Sequence, residues 1–270
     1  MADLGRRVRP YWHLLRGQVR SQASYRASFA ADLIGNVFAT VFDVVTVLVM
    51  FRVTRRLGGF TLREAIVITG LAAFAFASAD LLFGNADQIR RYVRTGLFDA
   101  VLLRPLGALL QLLTMDVPLR KLSRAAFGAA VYLVALGFAD IDWYAGRVAL
   151  AVAAPLAGIA FFCSLFVAGG TVAFWWVDSG EAANSVTYGG RDFTSYPVTV
   201  YGGWFRRIFA YGLGFGFVAY YPALALLGRA DPIGLPTWVG WVAPLVAVPA
   251  VASASLAWRV GVRHYRSTGS

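Results

Sequence analysis

Apolar residues dominate six stretches of the chain, at roughly 28–51, 64–85, 123–139, 147–176, 205–228 and 238–260. A helix that crosses a bilayer needs about 20 mostly apolar residues, so the pattern predicts six transmembrane helices. The fourth stretch is long for one span and predicts a tilted helix or one that extends past the bilayer. Ahead of the first stretch, Val8, Tyr11, Trp12, Leu15 and Val19 recur at steps of three and four, while Arg9, His13, Arg16 and Arg20 keep the same period on another face. This pattern predicts an amphipathic helix lying in the membrane interface, with Pro10 in its first turn. The stretch 105–122 is also apolar until Asp116, Arg120 and Lys121 break it, and it predicts a helix that dips into the membrane rather than a span.

The connections carry their own signals. Residues 178–201 are rich in Gly, Ser and Thr and include Pro197, which predicts irregular or partly helical chain at the membrane surface. Residues 228–237 include Pro232 and Pro236 and predict a cap on the opposite side. The expected organisation is an all-α polytopic membrane protein with an interfacial helix at 1–27, one transmembrane domain at 28–262 and a tail at 263–270.

Composition agrees with that class. The chain is 59% hydrophobic and 14% charged, with a mean hydropathy of +0.62, against about a quarter charged in soluble domains. No polar block is long enough for a second core. There are 25 basic and 14 acidic residues, a net charge of +11, and Lys121 is the only lysine. In a membrane protein such an excess anchors the chain to anionic lipid rather than to nucleic acid. With the N-terminus inside, the six-span pattern places 19 basic residues on the cytoplasmic side and six outside, which predicts both termini in the cytoplasm. The cluster around Arg55 opposes that orientation. The Arg-rich first 27 residues and the interruption of the first apolar run by Asp32 and Asp43 argue against a cleaved signal.

Within the first span Asp32, Asn36 and Asp43 fall within about 40° of arc, flanked by Ser28 and Thr46. The stripe lines a substrate path or subunit interface, or it bonds to neighbouring helices of the bundle. Asp80 is expected to pair with an interfacial arginine. Gly169, Gly170, Gly212, Gly214 and Gly216 permit close packing, and Pro222 predicts a kink. Several chemistries are excluded. Lys121 sits in "LRKLSR" without the glycines of a phosphate-binding loop. His13 and His264 lie outside the apolar runs, no G-x-S-x-G occurs, and paired zinc-ligand histidines are lacking. Cys163, the single cysteine, excludes an intrachain disulfide. No catalytic residue, metal site or cofactor is expected in this chain.

Between the second and third spans runs "NADQIRRYVRTGLFDAVLLRPLGALLQLL". Ile89, Tyr92 and Val93 alternate with Arg90, Arg91 and Arg94, as in a short amphipathic helix on the cytoplasmic surface. Gly96 permits a turn, and Pro105 opens the next helix.

This segment resembles the integral membrane subunits of ABC-2 type ABC transporters, in the six-span branch marked by G-x-(F/I)-(D/A)-x-x-L-L-R-P-L. The motif falls here on Gly96, Phe98, Asp99, Leu102, Leu103, Arg104, Pro105 and Leu106. The later "SYPVTVYGGWFRRIFAYGLGFGFVAYYPALALLG" is similar to the Tyr-Pro connection and Tyr-Tyr-Pro-Ala span of the same branch, at Tyr196, Pro197, Tyr220, Tyr221, Pro222 and Ala223. The resemblance implies a permease of a bacterial inner membrane that pairs with a second copy or a paralogue. It also implies two separate ATPase subunits, which bind ATP and magnesium, on the cytoplasmic face. It implies alternating access, with export as the usual direction. It further implies that the coupling segment, about 86–104, docks on the ATPase through Gln88, Ile89, Arg90, Arg91 and Arg94, the turn at Gly96, Phe98 and Asp99, and Arg104. A membrane scaffold or sensor, or a lipid-modifying enzyme using Asp32 or Asp43 as a base, are the alternatives the residues leave open.

Overall fold

The computed structural model describes residues 26–104, 107–114 and 119–266. The expected interfacial helix, Pro105, Leu106, Asp116 and the end of the tail lie outside the described residues, as do the side chains of Asp32, Asn36 and Asp43. The described chain is helical without strands. Its main helices are α1 (Arg26–Val53), α2 (Leu62–Phe83), α3 (Ile89–Arg94), α4 (Leu97–Leu102), α5 (Ala108–Thr114), α6 (Leu119–Phe138), α7 (Ala145–Thr171), α8 (Gly180–Thr194), α9 (Gly203–Arg206), α10 (Tyr220–Leu227), α11 (Trp238–Val242) and α12 (Ala247–His264). Among the described residues, four helical stretches are long and apolar enough to cross a membrane: Leu62–Arg94, Lys121–Phe138, Ala145–Phe174 and Trp238–His264. They coincide with four of the expected runs. The first expected run falls on α1, a helix of 28 residues.

Small residues let the central helices meet. A Cβ on Gly70 would lie 3.0 Å from the Tyr132 backbone, and one on Gly128 3.0 Å from that of Phe74, so α2 and α6 cross through reciprocal glycines. The Tyr132 hydroxyl then donates to the Ala151 carbonyl on α7 at 3.0 Å. Behind them, Gly158 of α7 faces Ala75 and Val218, and Gly170 faces the Ala86 carbonyl. Phe76 packs edge-on against Phe162 at 5.2 Å.

The two ends of the bundle are distinct. At the far end, the Thr61 amide donates to Glu64 at 2.7 Å, closing the first turn of α2. Arg229 bonds the same carboxylate at 2.6 Å and lies 4.1 Å above the Phe60 ring. At the opposite end, α3 and α4 form an elbow.

The connection expected as surface chain at 178–201 follows another course. Asp178 pairs with Arg94 of the elbow, and Gly180 abuts Arg90. Tyr188 packs on Phe76 at 5.5 Å, and its hydroxyl lies 3.4 Å from Asp87. Thr69 donates to the Ser195 carbonyl at 2.8 Å, and Thr199 donates to that of Gly58 at 2.7 Å. The partners of this segment thus ascend from the elbow to the far loop, so α8 and its extension run antiparallel along the whole of α2.

The run expected as a span at 205–228 differs as well. It is two helical pieces, Gly203–Gly212 and Phe215–Leu227, bent by 64°. The bend has a local cause: a π-turn at Arg207–Gly212 runs into Gly214, which holds φ at 84°. Phe205 and Phe209 pack on Phe193, and Phe215 reaches Phe161 and Phe162 midway down α7 and Gly190 of α8. Tyr220 then returns to Phe60, and Gly228 abuts Arg147 in the first turn of α7. Both ends meet the far side, which makes the segment re-entrant. Length and apolarity suited one straight span, but the π-turn and the left-handed glycine break the run into two pieces.

Candidate functional site

The elbow is built from a 3-10 turn, Gly84–Gln88, followed by α3 and α4. Gly96 joins the helices in the left-handed region at φ 71°, a conformation that favours glycine. The buried side chains are Ile89, Val93, Phe98 and Val101, while Gln88, Arg91, Arg94 and Arg104 are exposed and Arg90 and Asp99 are half-buried. Among the residues expected to couple, Ile89 and Phe98 are therefore anchors, and the arginines and Gln88 are what a partner can touch.

Phe98 is the main anchor. Its ring meets Tyr265 at 4.9 Å, Phe174 at 5.1 Å and Trp258 at 6.5 Å, so the elbow is socketed between the end of α7 and the end of α12. Asp99 faces the Tyr265 hydroxyl, and burial together with that carboxylate raises the tyrosine's pKa above its ordinary value. Gln111 of α5 donates to the Val101 carbonyl at 3.2 Å, and Asn85 donates to that of Leu113 at 3.1 Å.

The root of the elbow carries a buried ion pair. Asp80 is 3% exposed and accepts from Lys121 of α6 at 2.7 Å, with Arg124 at 3.6 Å. The expected arginine partner is thus secondary to the single lysine. Gly84 explains the choice: a Cβ there would fall 2.4 Å from the ammonium nitrogen and 2.1 Å from the carboxylate oxygen. The pair occupies the space that a side chain would fill, and a compact ammonium fits it better than a planar guanidinium.

Sequence reasoning missed α8. Glu181, Ser185, Tyr188, Gly189 and Asp192 are exposed and share about 100° of its circumference. Thr187, Gly190, Phe193 and Thr194 face inward. The period-3.6 division of polar and buried positions was present in the sequence, but lay in a stretch too polar to register as a span. Where α8 begins, Arg90, Arg91, Arg94, Val177, Asp178, Gly180 and Glu181 surround a cleft of about 470 Å³. The elbow and the polar helix share this cleft. Asp32, Asn36 and Asp43 lie along α1, apart from the elbow in sequence, and the structure describes no contacts for their side chains.

No curated protein and no solved structure matches the chain. The family model described as "ABC-2 family transporter protein" matches residues 37–269, a range that takes in the elbow, α8 and the re-entrant segment. The chain therefore belongs to the ABC-2 family of membrane transporters, as a multi-pass transport component.

Proposed function

We infer that the chain is the permease subunit of an ATP-driven exporter in a bacterial inner membrane, acting beside a second copy or a paralogue and served by separate ATPase subunits that bind ATP and magnesium. The observation that carries this reading is the polar stripe of α8. A helix exposing Glu181, Ser185 and Asp192 along the height of a membrane bundle is costly in lipid and suits a watered path or a facing subunit. Counted by course rather than by hydropathy, α1, α2, α6, α7, α8 and α12 give six crossings. The re-entrant segment then closes the outer end of the path.

In this reading the elbow is the handle. Its exposed arginines, with the cleft beside Glu181, offer the ATPase a basic surface whose natural complement is a carboxylate. Movement of the elbow passes through Phe98 to α7 and α12, and through the Asp80–Lys121 pair to α6. Moving Arg206 and Arg207 to the outer side leaves 17 basic residues on the elbow side and eight outside, which still favours cytoplasmic termini. The test is purification from the native membrane in mild detergent with mass spectrometry of companions. A stoichiometric ATPase with a phosphate-binding loop supports the reading. Recovery of the chain alone after crosslinking in intact membranes overturns it in favour of a scaffold.

A further inference from the structure

A second cavity lies away from the path, between the elbow ends of α2, α5, α7 and α12. It measures about 580 Å³, within the range of about 300–1,000 Å³ typical of small-ligand sites. Leu82 and Phe83 form one wall with Leu109, Ile159, Cys163 and Val167 form the floor, and Val251 and Trp258 form the other wall. Leu82, Leu156 and Val251 are exposed, so the cavity opens sideways toward lipid. Its one charged lining residue is Arg259, which is exposed and has no carboxylate partner among the described residues.

The dimensions point to the occupant. Along α7 the lining runs from Leu156 to Val167, about 16 Å at 1.5 Å per residue, against about 15 Å for half a hydrocarbon core. Trp258 touches Phe98 of the elbow, so the adjacent Arg259 stands at the headgroup end and Leu156 near the midplane. The groove is therefore one leaflet deep, apolar along its length and cationic at its mouth. The Ser164 hydroxyl donates to the Ala160 carbonyl at 2.8 Å, so its proton is used within the helix.

We propose that this groove holds one anionic phospholipid from the leaflet on the elbow side, with an acyl chain along α7 and its phosphate on Arg259. The bound lipid fills the space between α2, α5 and α12 and braces the elbow against the bundle. The site requires only a membrane-embedded chain, so it stands or falls apart from the ATPase reading.

The test uses the full chain, reconstituted into bilayers of phosphatidylglycerol and phosphatidylcholine, extracted and stripped of bulk lipid, then examined by native mass spectrometry. One phosphatidylglycerol per chain is expected to persist in preference to phosphatidylcholine. Arg259→Gln lowers its retention about fivefold, the share of one basic residue at an anionic surface, and Arg259→Lys restores most of it. Ala160→Phe, which fills the floor, removes both lipids in a chain that remains monodisperse. Absence of retained lipid, equal retention of the two lipids, indifference to Arg259→Gln, or a groove covered by a second copy would each overturn the assignment.

Discussion

Helices α7 and α8 follow one another in the chain and pass along the bundle in opposite directions, yet they meet opposite surroundings. The outer face of α7 presents Val148, Val152 and Leu156, while that of α8 presents Glu181, Ser185 and Asp192. A charged side chain on a lipid-exposed helix costs about 2.5–3.5 kcal/mol at the bilayer centre and less toward the helix ends, where Glu181 and Asp192 stand on α8. The first face suits lipid, and the second requires water or protein. The contrast teaches that hydropathy reports what a helix's outer face meets rather than whether the helix runs along the bundle.

The comparison extends to the wall that both helices share. Helix α2 offers Phe76 both to Phe162 of α7 and to Tyr188 of α8, and one turn further on it offers Asp80 to Lys121 of α6. Asp80→Ala has the largest expected effect, because it leaves Lys121 charged and unpaired at a site where the carboxylate is 3% exposed. Breaking a buried pair costs about 3–5 kcal/mol. A thermal melt of the detergent-purified chain should show a large drop, with Lys121→Arg intermediate because Gly84 leaves no room for the larger head. A melt unchanged by Asp80→Ala would remove the polar end of α2 from the comparison.

The second prediction concerns water along the two faces. Cys163 is buried and is the only cysteine, so single-thiol variants can be made after Cys163→Ala. Ser185→Cys should react with a membrane-impermeant maleimide about a hundredfold faster than Val152→Cys, since apolar surroundings withhold both the reactive thiolate and the water-borne reagent. Equal rates would erase the distinction between the helices.

What the sequence made legible follows the same line. The helical class, four apolar spans and the amphipathic elbow with its turn at Gly96 all rest on local periodicity, which needs no knowledge of neighbours. The course of α8 rests on Thr69 meeting Ser195 and Thr199 meeting Gly58, contacts separated by more than a hundred residues. The break in the run at 205–228 was hidden for a related reason: the run has the composition of a span, and only the geometry at Gly214 bends it. Likewise Ile89 and Phe98 belonged to a recognisable motif, but their role as anchors depends on Phe174, Trp258 and Tyr265 arriving from elsewhere in the chain.

The smallest effects give the sharpest test, through two adjacent glycines on α8. A Cβ on Gly190 would lie 2.1 Å from the Phe215 ring, so Gly190→Val should destabilise the chain by about 1–3 kcal/mol through overpacking and lower the melting temperature. Gly189 has nothing within 4 Å of its added Cβ, and within a helix alanine is favoured over glycine by about 1 kcal/mol. Gly189→Ala should therefore raise the melting temperature slightly if its face meets only water. If a second permease packs closely on that stripe, the same methyl group meets the partner, and the substitution lowers the stability of the dimer while still stabilising the isolated chain. Melting the chain and its crosslinked dimer side by side thus reads from one methyl group whether the polar face of α8 borders a path or an interface. A loss of stability in both forms would mean that the inward and outward faces of α8 are misassigned.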